Sequence, residues 1–440
     1  MLGIPRDAAA AAPPSISLRK GFIATFAGNV VFAASQWAAL SLIARLGSAE
    51  MLGEYALALA IATPVALFSH LNLRAVLATD MERRHPFGDY LAVRLGTTAL
   101  GVLAVGGIAL AGGYSWPVAT VIVAAGVVLS ADNLSDIYYA VMQRRDRMDQ
   151  IARSTAARGA LSVAALGIVL WLTHSLLAAV AAQAAGRLAV LLAYDRPVGS
   201  AGESMATSGA RTQAGILAVA LPLGIVLMLL SLAGNMPRYA IEHRFGMAAL
   251  GAFAAPASLM TVGSTVINAL GQAATPRLAR YFSEGDARRF RRLALHLAGA
   301  AGLLGAAGIG VALAMGRFAL GLLYGRTYAA YGGLLVWLMA AALVSYIAGA
   351  LGYIITSARA FAAQAPLFAA VAATAGIASW MLVPRMGLEG AAVALAATSL
   401  VQAGGSLLIL RSAWRGRAFP AHTGHGGGRG LACPAPAAAK

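Results

Sequence analysis

The stretch YALALAIATPVALFSHLNLRAVL, residues 55–77, decides the fold. Its only formally charged side chain is Arg74. An α-helix rises 1.5 Å per residue, so about 20 apolar residues cross the roughly 30 Å hydrocarbon core of a bilayer. Stretches of this kind recur along the whole chain. The sequence therefore predicts an all-α integral membrane protein.

The composition excludes the main soluble classes. Of the 440 residues, 60% are hydrophobic and 11% are charged, and the mean hydropathy is +0.75. A soluble domain has about 25% charged residues, which it needs to cover its surface. A soluble enzyme, a nucleic-acid binder and a disordered scaffold do not fit. The single cysteine, Cys433, cannot build a disulfide framework or a thiolate metal site.

We expect about twelve transmembrane helices. Two connections, 113–115 and 384–387, are so short that the helices they join must be antiparallel neighbours. The predicted spans are 22–44, 55–77, 90–112, 116–140, 155–173, 175–194, 214–236, 247–270, 293–315, 330–356, 361–383 and 388–410.

The net charge of +17 is explained by membrane orientation. With the N-terminus inside, the inner segments carry most of the 33 lysines and arginines. The outer segments carry Arg45, Arg238, Arg244, Arg317, Arg326 and Arg385. Cytoplasmic loops are enriched in basic residues, so both termini are predicted to be cytoplasmic. We read residues 1–17 as part of a short tail and not as a cleaved signal peptide.

An internal repeat relates the two halves of the chain. The segment Arg45-Leu46-Gly47 matches Arg244-Phe245-Gly246, and Leu52-Gly53 matches Leu250-Gly251. Six spans per repeat give both halves the same orientation. The sequence thus predicts two six-helix lobes related by a pseudo-twofold axis along the membrane normal, the architecture of an alternating-access transporter.

Three segments resemble the bacterial polysaccharide-biosynthesis flippases of the O-antigen and exopolysaccharide type. The first is 45–80, the second is 235–286, and the third is 322–338. The matching residues are Gly53, Tyr55, Leu73 and Arg74 in the first, Pro237, Arg238, Tyr239, Leu250, Gly251, Phe253, Pro276, Arg277 and Leu278 in the second, and Tyr324, Gly325 and Tyr328 in the third. This family belongs to a superfamily that also contains multidrug antiporters and the peptidoglycan-lipid flippase.

The resemblance implies a translocase that moves a polyprenyl-(pyro)phosphate-linked oligosaccharide from the inner to the outer leaflet of the bacterial cytoplasmic membrane. Such a protein needs a polar, cationic cavity and two lobes that rock. It makes and breaks no covalent bond, and polymerases and glycosyltransferases of the same pathway are its implied partners. Ion coupling occurs in such families. The predicted spans place a tail at 1–21, lobes at 22–194 and 214–411, a linker at 195–213 and a disordered tail at 412–440.

Seven polar residues are candidates for substrate binding, because polar groups inside spans are costly and mark functional sites. They are Asn29, Gln36, Arg74, Asn235, Arg238, Asn268 and Gln272. Four of them have an alternative structural role. Asn29 and Gln36 can join helices, Arg74 can anchor the inner boundary, and Arg238 can pair with Glu242.

Two carboxylates, Asp132 and Asp136, are candidates for ion coupling. They lie four residues apart on one face of the predicted fourth span, where like charges would favour a proton. Alternatively, both carboxylates are solvent-exposed at the cytoplasmic end of the span. Arg94 and Arg187 are weaker phosphate-binding candidates, and Arg187 can alternatively extend to the inner surface.

The sequence predicts no metal site and no cofactor. It contains no Walker-type Gly-x-x-x-x-Gly-Lys loop and no metal-ligand spacing of His, Cys and Asp. A multidrug or cation antiporter of the same superfamily is the first rival function. A membrane enzyme of the glycan pathway is the second, but the outer loops are short.

Overall fold

The computed structural model describes residues 18–79, 85–358 and 361–418 and consists of helices, with no β-strand among these residues. Ten described helices are long and apolar enough to cross a membrane. One of them is two helices joined at a kink, and α1 adds its described apolar part, Val30–Leu46. The twelve predicted segments are therefore all present.

The first half contains eight helices. They are α1 (Leu18–Leu46), α2 (Ala49–His70), α3 (Leu73–Thr79), α4 (Phe87–Ala111), α5 (Trp116–Arg144), α6 (Met148–Thr173), α7 (Leu176–Val190) and, after a π-helical turn, α8 (Arg196–Ser200).

The second half contains the longest helices. It begins with α9 (Ala210–Glu284) and continues with α10 (Ala287–Tyr324), a 3-10 turn (Arg326–Tyr331), α11 (Gly332–Ser357), α12 (Phe361–Met386) and α13 (Leu388–Ala418). Helix α13 continues past residue 411, the predicted end of the second lobe, to Ala418.

Helix α9 is broken at Gly246, where φ is 78° and ψ is −176°. Only glycine adopts this combination readily, because a Cβ would clash with the backbone. We call residues 210–245 α9a and residues 247–284 α9b. Gly246 matches Gly47, which ends α1 in the first half, so both halves turn at the same point of the repeat.

Helices α2 and α9b touch through their backbones at one end. A Cβ on Gly53 would lie 1.8 Å from the carbonyl oxygen of Met247, and a Cβ on Gly251 would lie 1.8 Å from that of Ala49. The four residues match pairwise in the repeat, Gly53 with Gly251 and Ala49 with Met247. A contact in which each side repeats the other is the local signature of a twofold axis. Glycine is required on both sides, because no side chain fits.

The hydrophobic core is continuous at this closed end, which we define by Gly53 and Gly251. One buried cluster joins residues of both halves there, including Leu52, Tyr55, Leu250 and Phe253. At the opposite end, which we call the open end, the halves have largely separate clusters. One contains α4 and α5 together with Ile216 and Ala220 of α9a, and the other contains α9b, α10 and α11.

The linker between the halves, residues 201–209, is attached to the first half. Glu203 accepts hydrogen bonds of 2.8 Å from both Arg144 and Arg145, and Asp89 accepts one from the backbone N–H of Ser208. Partial burial alone would raise the pKa of Glu203, but the hydrogen bonds from the two arginines outweigh it and lower the pKa. The ion pairs therefore persist at neutral pH.

Replacing Gly251 with alanine is expected to force the closed end apart. The added Cβ would overlap the carbonyl oxygen of Ala49, so the closed-end contact would lose population. The measurement is maleimide labelling of a Gln272→Cys reporter in a Cys433→Ser background, since Gln272 lines the cavity at the open end. We expect labelling from the open-end side to fall by roughly threefold or more.

The matched control is Gly349→Ala in α11, where an added Cβ meets no atom within 4 Å. Labelling unchanged by Gly251→Ala would show that the closed end does not depend on this contact.

Candidate functional site

A cavity of about 700 Å³ lies at the open end. The first half supplies nearly all of its lining, and the second half supplies Gln272 of α9b. From Gly251 to Gln272, both in α9b, helix geometry gives about 31 Å, close to one hydrocarbon thickness. The cavity therefore lies one membrane thickness from the closed end.

Asp132 of α5 is held by two arginines from the neighbouring helices. Nη1 of Arg158 (α6) lies 3.4 Å from Oδ1 of Asp132, and Nη1 of Arg187 (α7) contacts Oδ2. Nη2 of Arg187 donates a 2.9 Å hydrogen bond to Oε1 of Gln36. Arg187 is 1% exposed, so it does not extend to the surface.

Asp136, one helical turn along α5, is held by a second group of cations. Its Oδ2 lies 2.8 Å from Nε2 of His70 and 3.8 Å from Nη2 of Arg94, and its Oδ1 lies 3.3 Å from Nη1 of Arg74. Arg74 also donates from Nε to Oε1 of Gln143 at 3.0 Å. Both carboxylates are on one face, as predicted, but each is neutralised by arginine.

The backbone turns sharply just before Arg74. Helix α2 ends at His70, Leu71 and Asn72 have φ of 49° and 50°, and α3 begins at Leu73. Consecutive non-glycine residues in the left-handed region cost free energy and concentrate at functional sites. This turn places Asn72 and Arg74 together on the cavity lining.

Two aromatic rings hold the arginines in place. The guanidinium carbon of Arg158 lies 4.8 Å from the centroid of the Phe32 ring and 5.4 Å from that of Tyr139. Arg74 lies 5.7 Å from the Tyr139 centroid, and Arg187 lies 5.7 Å from that of Phe32. Cation–π contacts of this kind strengthen when water is excluded.

Positive charge exceeds negative charge in this arginine cluster, which we define as Arg74, Arg94, Arg158 and Arg187. Two carboxylates face these four cations. A third carboxylate, Asp195, lies behind Tyr139 and is bonded by the Ser154 hydroxyl, which itself bonds Tyr139 at 2.6 Å. Even with all three carboxylates ionised, the cluster remains positive.

Arg158 keeps hydrogen-bonding capacity for a ligand. Its Nε and Nη1 are buried and have no hydrogen-bond partner among the described residues, and Nη1 faces Asp132 as an ion pair. Buried donors are nearly always satisfied in folded proteins. Because Arg158 lines the cavity, an oxyanion entering it would meet a guanidinium group whose Nε donates to no described residue.

The remaining predicted residues divide between the cavity and other places. Asn268 lies one turn before Gln272 on α9b and accepts a 3.4 Å hydrogen bond from Tyr353. Arg238 contacts Oδ1 of Asn235 and not Glu242. Arg238 and Asn235 both lie outside the cavity lining. The side chain of Asn29 lies outside the described residues. The binding and coupling roles of all these residues stay predictions.

Sequence reasoning missed Arg158, Phe32 and Tyr139. The comparison of inner and outer charges treats Arg158 as an inner residue, although it falls within the predicted span 155–173. Helix α6 begins earlier, at Met148, so Arg158 lies well inside the helix. The small residues Ala152, Thr155 and Gly159, at helical spacing, were the available signal.

No group of three or more His, Cys, Asp or Glu residues in the described part of the chain is placed to hold a metal ion. The cavity chemistry consists of arginines, carboxylates, amides and aromatic rings.

No family model matches the chain. A curated relative, the capsular polysaccharide biosynthesis protein CapF of Staphylococcus aureus, is 23% identical over 386 residues, which are 87% of this chain and 96% of CapF. This relative confirms the resemblance found in the sequence motifs.

Two solved structures share the fold. One is an inward-facing multidrug resistance MATE family transporter of the MOP superfamily, with a TM-score of 0.72 and 14% identity over 88% of this chain and 96% of that one. The other is the lipid II flippase MurJ in an inward closed conformation, with a TM-score of 0.70 and 9% identity over 90% and 89%. The chain is thus a multi-pass membrane protein with a transporter fold.

Replacing Asp132 with asparagine is expected to destabilise the first half. The change leaves Arg158 and Arg187 without their carboxylate in a buried site, and breaking a buried pair costs about 3–5 kcal/mol. The measurement is thermal unfolding of the detergent-solubilised protein. Adding Arg187→Gln to Asp132→Asn should recover part of the loss, because one stranded charge is removed.

The control is Asp286→Asn, which weakens an exposed pair with Arg289 but keeps an N-cap residue on α10. We expect it to cost at most about 1 kcal/mol. Equal losses in the two variants would contradict a structural role for the buried pair.

Proposed function

We propose that this chain is a flippase that moves a polyprenyl-(pyro)phosphate-linked oligosaccharide across the cytoplasmic membrane for surface polysaccharide biosynthesis. The observation that carries the proposal is the surplus of arginine in a cavity between two membrane-embedded halves. The name of the curated relative and the fold shared with a lipid II flippase support the same substrate class. On this proposal the protein makes and breaks no covalent bond.

The arginines fit a phosphate or pyrophosphate group. Arg74 and Arg158 line the cavity, whereas Arg94 and Arg187 are buried behind them. Guanidinium groups bind phosphate oxygens in pairs, and such charge-assisted hydrogen bonds are about twice as strong as neutral ones. Asp132 and Asp136 hold the arginines in place while the cavity is empty, so that four like charges can share one site.

The carboxylates also offer a route to ion coupling. A proton on Asp132 or Asp136 would release the arginines that it holds, and these arginines would then bind phosphate more strongly. Proton uptake and substrate binding would favour each other, as linkage requires. Ion coupling through this pair remains part of the proposal.

Transport requires the open end and the closed end to exchange roles. The halves, at residues 22–194 and 214–411, would rock so that the contact of α2 with α9b separates, and Asn235 and Arg238 would meet the substrate when that end opens. Both termini would be cytoplasmic, and the implied partners are polymerases and glycosyltransferases of the same pathway.

A multidrug or cation antiporter is the second candidate, because a multidrug transporter shares the fold. Cationic drugs are attracted by carboxylates in a cavity. Here both carboxylates are paired with arginine, and the arginines are in excess, so a cation would be repelled. The charge of the cavity favours the anionic substrate.

The deciding experiment is deletion of the gene in its native host, followed by analysis of the surface polysaccharide and the polyprenyl-linked lipid pool. Loss of surface glycan with lipid-linked units accumulating on the cytoplasmic side supports the flippase. Normal polysaccharide with increased sensitivity to cationic dyes supports the antiporter and contradicts the phosphate roles of Arg74 and Arg158.

Arg74→Gln and Arg158→Gln, each returned to the deletion strain, are expected to lower glycan export by roughly tenfold or more, since a hydrogen bond to a charged group contributes about 1.5–3 kcal/mol. The measurement is surface polysaccharide per unit of membrane-inserted protein. Arg292→Gln is the matched control, because Arg292 is exposed outside the cavity. Export at the control level in both variants would refute the phosphate-binding site.

A further inference from the structure

The two walls of the cavity are equivalent in the repeat but differ in chemistry. Arg74 of the first half matches Gln272 of the second, with the same offset that relates Gly53 to Gly251. Both residues line the one cavity, beyond the point where α2 and α9b meet. A position that carries a charge on one wall therefore carries a neutral amide on the other.

The charge of the lining residues comes from the first half. Arg74, Arg158, Asp132 and Asp136 belong to it, as do Arg94 and Arg187 behind them. The described part of the second half contributes Gln272 to the lining, with Asn268 one turn away.

Two arginines of α9, Arg238 and Arg277, lie outside the lining. Arg277 is exposed farther along α9b, and Arg238 contacts Asn235 in α9a.

We propose that the cavity binds its substrate in one orientation, with the phosphate group on the first-half wall and the glycan on the second-half wall, where Gln272 contacts sugar hydroxyls. This inference rests on the proposed flippase function. Guanidinium groups only donate hydrogen bonds, which suits phosphate oxygens. A carboxamide both donates and accepts, which suits hydroxyl groups, and it brings no charge to neutralise a phosphate.

The test exchanges the two equivalent residues. The probe is farnesyl pyrophosphate, which carries the phosphates and a prenyl tail but no sugar, and its binding to the full-length protein in detergent is measured by titration. Arg74→Gln should weaken binding by roughly tenfold or more, because a charge-assisted contact is lost. Arg74→Gln/Gln272→Arg should bind as weakly as Arg74→Gln, because the remaining arginines stay on the opposite wall.

The second arm separates the glycan from the phosphate. Gln272→Ala should leave farnesyl pyrophosphate binding within about twofold of wild type and lower glycan export in the host by roughly fivefold or more, as for a lost neutral hydrogen bond of about 1 kcal/mol. Export would fall while probe binding stays unchanged only if Gln272 contacts the glycan. Gln272 is exposed, so the substitution leaves the packing intact.

Each outcome decides the proposal. If the exchange variant binds the probe within about threefold of wild type, the phosphate wall is not fixed and the orientation is overturned, although the flippase function stands. If Gln272→Ala exports normally, the glycan contact is overturned. If the wild-type protein does not bind farnesyl pyrophosphate, the proposed flippase function itself is contradicted. Should the exchange variant not fold, Asn268→Arg in the Arg74→Gln background makes the same comparison.

Discussion

The backbone contact between α2 and α9b is the constraint on which the molecule depends. Two glycines let the helices approach until a carbonyl oxygen occupies the place of a Cβ on each side. The hydrophobic core is continuous around this contact, and at the open end it is largely divided into separate clusters. Helices α2 and α9b thus meet at one end, and the cavity lies at the other, about one membrane thickness away.

Charge inside the membrane is the second constraint, and the cavity meets it by mutual neutralisation. Four arginines share two carboxylates, two aromatic rings and the amide of Gln36. An uncompensated charge in this environment would be too costly to keep, whereas a paired one is held firmly. The surplus of positive charge is what the site presents to a ligand, and the aspartates keep that surplus small enough for the helices to stay packed.

The repeat gives two similar halves, but sequence differences between them make the two walls of the cavity chemically different. Glycine is kept at both halves of the contact because geometry demands it on each side of a twofold axis. At the equivalent positions 74 and 272 no such demand exists, so one half carries an arginine and the other a glutamine. A substrate with one anionic end and one hydroxyl-rich end is matched by walls that differ in this way.

The sequence alone determined the membrane class, the twelve helical segments and the repeat, because hydropathy and small-residue matches are local properties that need no knowledge of packing. It also indicated Gln36, Arg74, Asp132, Asp136 and Gln272. It did not single out Arg158, because an arginine close to the start of a span is most simply explained by membrane orientation. Only the tertiary structure decided which charges neutralise one another, because Asp132 meets Arg158 and Arg187 from two other helices. Ion pairs between helices depend on how the helices pack, and the spacing of residues along the chain does not reveal which helices are neighbours.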